Sequence, residues 1–135
     1  MQFEQATALL VIDETKLNGV EAVKRWKEEL LALGLVEANI IVAESPAAAI
    51  PIIEKLASLD LVLDGVDLYN PDEDRYFEFI ALVGEKFPDA SIKQILQYKQ
   101  DFPETAERIV DPQKVMPVIE AFLRKKSPTS ANTTS

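Results

Sequence analysis

The 135 residues contain no cysteine and no histidine. The first absence excludes a thiol nucleophile, a disulfide framework and thiolate metal sites. The second excludes Ser-His-Asp catalysis, histidine phosphorylation and His-ligated zinc. No apolar run approaches the ~18 residues that a membrane-spanning helix needs. The N-terminus has no basic stretch leading into an apolar one, so the expected location is the cytoplasm. Positive charge is also scarce: 14 Lys and Arg stand against 23 Asp and Glu, a net charge of −9. Nucleic-acid affinity rests on neutralising phosphates with cations, so this balance argues against that class of partner. What remains is 47% apolar residues, enough for one domain with a sizeable core and no staples.

The apolar residues fall into alternating short runs and helical stripes. Ala8 to Ile12 is an unbroken apolar run that ends in Asp13-Glu14, which reads as a buried parallel strand with acids at its carboxyl end. Residues 18–33 read as a helix with Val20, Val23, the stem of Lys27, Leu30 and Leu31 on one stripe. Gly34 closes it. Residues 39–43 and 59–66 give a second and a third strand. Ser45-Pro46 between them supplies an N-cap with proline in the first turn. A third helix begins after Asn70-Pro71, its apolar side carrying Tyr76, Phe77, Ile80, Val83 and Phe87. The last spans 112–126, with Val115, Met116, Ile119, Phe122 and Leu123 facing inward.

Residues 92–98 are ambiguous: their spacing suits a helix about as well as a strand, and Lys93, Gln94 and Gln97 sit poorly in a central strand. A short fourth strand is the reading adopted. Residues 127–135 lack large apolar side chains and read as a disordered tail or linker after a domain at 1–126. Strands alternating with helices at these lengths predict an α/β fold, a parallel sheet covered on both faces.

Open parallel sheets bind ligands at the carboxyl ends of their strands. Asp13-Glu14, Asp67 and Asp111 all fall at such ends. Each alone reads equally as a cap or a turn residue. Together they form a candidate acidic pocket, because neighbouring carboxylates repel unless a cation or a retained proton compensates.

The spacing of these acids resembles the receiver domain of response regulators. Asp13-Glu14 stands where that family has its acid pair. Asp67 matches the phosphoacceptor, with Pro71 four residues on and Asp74 seven on at the family's downstream positions; Arg75 departs where the family has glycine. Asp64, ending Leu61-Val62-Leu63-Asp64, competes with Asp67 for the acceptor position. The resemblance implies a flavodoxin-like five-stranded sheet in order 2-1-3-4-5, with the fourth helix shortened or missing across 99–108. It also implies weak magnesium binding through Asp13, Glu14 and Asp67.

Two departures bear on the switch. The hydroxyl residue that ends strand four in the family falls here at Leu96 or Gln97, and its lysine is replaced by Asp111, in Arg108-Ile109-Val110-Asp111-Pro112. Exchanging a cation for an anion at ~4 Å from a phosphoryl oxygen turns about 4 kcal/mol of attraction into comparable repulsion at an effective dielectric of ~20. The resemblance therefore implies a pseudo-receiver acting through a protein partner, either another signalling protein or a second copy. The alternatives are a true phosphoacceptor receiver using Asp67, and a magnesium-dependent phosphohydrolase suggested by Leu63-Asp64-Gly65-Val66-Asp67. For the partner surface, Trp26, which falls off the main stripe of the first helix, and Tyr69 are the expected contacts, with Tyr76 and Phe79 crowded nearby.

Overall fold

A computed structural model describes residues 3–15, 19–66, 75–97, 108–109 and 111–126, with the backbone alone at 96–97 and 108–109. Strand β1 (Ala8–Val11) lies at the centre. It pairs in parallel with β2 (Ile40–Ala43) on one side and with β3 (Leu61–Asp64) on the other. Beyond β3 lies β4 (Ser91–Gln94), also parallel, which gives the order 2-1-3-4. Helices α1 (Gly19–Leu33), α2 (Pro46–Lys55) and α3 (Tyr76–Lys86) alternate with these strands, and α4 (Pro112–Lys126) comes after them. No helix among the described residues is long and apolar enough to cross a membrane.

The expected alternation and the first four places of the strand order are present. The fifth parallel strand is not seen among the described residues. Arg108-Ile109, expected in that place, instead forms a two-residue strand β6 antiparallel to β5 (Leu96–Gln97), just past the carboxyl end of β4. This resolves the polar character of β4. Among the described residues it is an edge strand, partly exposed along its length, so Lys93 and Gln94 need not be buried on both sides. The fourth helix, expected to be shortened or missing across 99–108, falls at 99–107 outside the described residues.

Side chains of the central strands divide the core by parity. Leu10, Ile12, Leu61 and Leu63 pack under α1 and α4; Leu9, Val11 and Val62 pack under α2 and α3. Two helix-boundary signals work as expected. Ser45 Oγ accepts from Ala48 N at 3.0 Å and caps α2. Gly34, at φ 125°, lets Leu35 N reach back to Leu30 O at 3.1 Å and close α1. Lys86 at the end of α3 donates to the carbonyls of Ile53 and Glu54 at 2.8 and 2.7 Å, tying it to the end of α2.

The face of α1 differs from the expected one. Its buried residues are Gly19, Ala22, Val23, Trp26 and Leu30, while Val20 is 62% exposed. Trp26 is fully buried, so it is core and cannot form an interaction patch. On α3, Tyr76 and Phe79 are likewise buried and Phe77 is the exposed aromatic. Tyr69, the other expected contact, lies outside the described residues.

Candidate functional site

At the carboxyl end of β3 sits Asp64, buried to 0% exposure. Strand parity turns its side chain towards the α2–α3 layer, where the first residue of α3 meets it. Tyr76 Oη donates to Oδ2 at 2.6 Å and Gln94 Nε2, from β4, donates to the same oxygen at 3.2 Å. Oδ1 accepts from Val66 N at 2.9 Å, a turn closed by the aspartate itself. Burial pushes the Asp64 carboxyl above its ordinary value, and the bonds from Tyr76, Val66 and Gln94 pull the other way. The arrangement holds a carboxyl group between three elements and presents none of it to solvent. A nucleophilic aspartate needs an open approach, so Asp64 has no route to a phosphodonor here.

Asp13 comes just after β1 at the same sheet end. Its Oδ1 accepts from the Thr15 N–H at 2.9 Å and the Thr15 hydroxyl at 2.5 Å. Immediately beyond, α1 begins against this loop's backbone: a Cβ on Gly19 would stand 2.2 Å from Asp13 O. Gly19→Ala therefore has to displace the loop or the helix start, and such overpacking is expected to cost about 1–3 kcal/mol. Urea midpoints would read it, and an unchanged midpoint would show that the contact yields freely.

Asp111 leads into α4. The far end of that helix is fixed at the amino end of the sheet, where Lys126 Nζ lies 3.0 Å from Asp60 Oδ1, and Asp60 Oδ2 accepts from Thr7 N at 2.8 Å. The start of α4, after the ribbon past β4, is thus at the carboxyl end. Asp111 Oδ1 accepts from Gln113 N at 3.0 Å, as an N-cap does. The same oxygen accepts from Arg25 Nη2 at 2.9 Å, across from α1.

Asp13, Asp64 and Asp111 therefore share a sheet end but are engaged separately: one with its own loop, one in the α2–α3 layer, one in the α1–α4 layer. Among the described residues no three acids come together in a group able to hold a metal ion. Glu14 is exposed. Asp67, Pro71 and Asp74 lie outside the described residues, as do the side chains of Leu96 and Gln97. The described acids do not by themselves fit magnesium.

Tyr76, Gln94 and Arg25 are the site residues that sequence reasoning missed. Tyr76 and Gln94 carried a usable signal, an aromatic opening the helix after β3 and an amide in the neighbouring strand. Arg25 carried none, since its partner is 86 positions away.

No family model, no curated protein and no solved structure matches the chain. The parallel order 2-1-3-4 is consistent with a flavodoxin-like sheet.

Proposed function

We propose that the chain is a pseudo-receiver, a flavodoxin-like module that acts by protein–protein interaction without a stable aspartyl-phosphate. The observation that carries this reading is the state of Asp111. Where the family has a free lysine, a carboxylate caps α4 and is held by Arg25. The cation that α1 brings to this position is already paired with Asp111, so a phosphoryl group would meet a neutralised ion pair in place of a free cation. An oxyanion with no free cation to receive it loses the stabilisation that such a site has to supply. The sealed Asp64 supports the same reading, because the second acceptor candidate is closed to a donor.

Incubation with acetyl phosphate and magnesium, followed by intact-mass analysis, is expected to leave the protein unmodified. A stoichiometric, hydroxylamine-labile adduct mapped to Asp67 would replace this reading with a true phosphoacceptor. Asp111→Lys is the reciprocal probe. It returns the lysine but removes the α4 cap, at about 1 kcal/mol, and faces Arg25 with a like charge. Its beryllofluoride affinity is expected to rise modestly over wild type.

A further inference from the structure

Among the described residues one aromatic protrudes, and an apolar cleft lies on the opposite layer of the sheet. Phe77, 76% exposed, stands on the outer face of α3. Ala81 and Gly84 lie at i+4 and i+7 and are also exposed, so the three share one face. Gly84 is unexplained within the chain: a Cβ there would meet nothing within 4 Å, and glycine inside a helix costs about 1 kcal/mol relative to alanine. Glu85 flanks this face on one side, beside Glu78, whose carboxylate is held by Arg75 at 2.8 Å.

The outer face of α4 is its complement. A cleft of about 420 Å³ is lined by Pro117, Ala121 and the stems of Arg124 and Lys125, with Glu120 at its edge. Val118 beside it is 51% exposed. Arg124 is paired with Glu120, whereas Lys125 and the exposed Lys114 have no ion-pair partner among the described residues. One face is apolar with an acidic flank and the other apolar with a basic flank. They cannot meet within one molecule, because α3 packs with α2 on one side of the sheet and α4 with α1 on the other.

We propose that the chain associates head to tail with second copies of itself, the outer face of α3 in one copy seating on the outer face of α4 in the next. This rests on the interaction-module reading and names its partner. A net charge of −9 opposes contact between copies, so any contact has to be local and matched in sign, as these two faces are. Two different patches make a heterologous interface, which leaves one patch free at each end of an open assembly, so copies add until a ring closes or growth continues. A single helix against a single helix buries far less than the ~800 Å² per partner of a stable complex, so each step is weak.

Sedimentation velocity from about 20 µM to about 1 mM, the range of weak affinities, tests this. The wild type is expected to pass from monomer to a series of growing species. Phe77→Ser and Ala121→Glu, at exposed positions, should each remain monomeric with unchanged circular dichroism, losing at least about ten-fold in association as an anchoring aromatic or its seat is removed. Mixed together they should form a one-to-one complex that grows no further, since one retains the cleft and the other the aromatic. Glu85→Lys and Lys125→Glu should each weaken association, and the double variant should recover it. A wild type that sediments as a monomer at ~1 mM overturns the proposal, as does a Phe77→Ser protein that associates like wild type. Either result leaves the acetyl phosphate experiment untouched, and an adduct in that experiment leaves this contact standing.

Discussion

Trp26→Ala is expected to cost about 3–5 kcal/mol, the scale for truncating a large aromatic in a core, against a total stability of about 5–15 kcal/mol for a domain. The tryptophan is fully buried between α1 and the sheet, in the cluster that includes Ile12, Leu63 and Ile119. That cluster draws on α1, β1, β3 and α4, and the loss of its largest side chain leaves a cavity within it. Its indole N–H has no hydrogen-bond partner among the described residues, and an unsatisfied buried donor costs about 1–3 kcal/mol. Trp26→Phe removes that donor while keeping a ring, so it should fall within about 1.5 kcal/mol of wild type. Chemical denaturation with linear extrapolation reads both. A Trp26→Ala protein as stable as wild type would mean that the side chain does not pack as described.

Trp26 also shows why the fold was more legible than the surface. The strands could be read because a strand buried on both faces is a continuous apolar run, and Ala8 to Val11 and Leu61 to Leu63 are such runs. The helix ends could be read because Ser45-Pro46 and Gly34 act locally. The inward face of α1 could not be read by tracing its large aliphatic residues. Val20 and Leu31 suggested a stripe rotated by about one residue, and the true one passes through Gly19 and Ala22, whose small side chains carry little hydropathic signal. Glycine is needed at the first of these by close approach to Asp13 O, which no local pattern reports. β4 misled for the opposite reason: its polar residues were weighed against a central strand, and its edge position is a property of the sheet. At the candidate site Asp64 ends β3 and Asp13 follows β1, where the apolar runs before them pointed, whereas Asp111, expected at the end of a fifth parallel strand, leads into α4 after the antiparallel ribbon. Their partners arise from packing: Tyr76 and Gln94 were marked only by an aromatic opening the helix after β3 and an amide in the neighbouring strand, and Arg25, 86 positions from Asp111, by nothing.

Asp64 gives the second large effect, and it depends on pH. The folded protein holds the Asp64 proton more tightly than the unfolded chain, whose ordinary value is near 3.8, because burial disfavours the charged carboxylate. Between that value and the raised folded one, the folded state binds more protons than the unfolded state. The contribution of this group is therefore fullest below the ordinary value and is lost as pH rises through the folded value. With 23 acidic residues in the chain, the overall acid limb mixes many groups, so the useful quantity is a difference between variants. Asp64→Asn cannot ionise, and its stability relative to wild type should climb as pH rises through that window and then level off. Tyr76→Phe works against the charged form, since the hydroxyl donates to Oδ2 at 2.6 Å. Removing a hydrogen bond to a charged group costs about 1.5–3 kcal/mol, and bonds between neutral partners are about half as strong. The loss in Tyr76→Phe should therefore be largest above the folded value and shrink as the carboxyl takes up its proton. Guanidinium midpoints for the three proteins across the acid range would show the Asn and Phe variants diverging in opposite directions from wild type as pH rises. Parallel curves for wild type and Asp64→Asn would mean that Asp64 titrates alike in folded and unfolded chains, and that the carboxyl is not sealed beneath Tyr76.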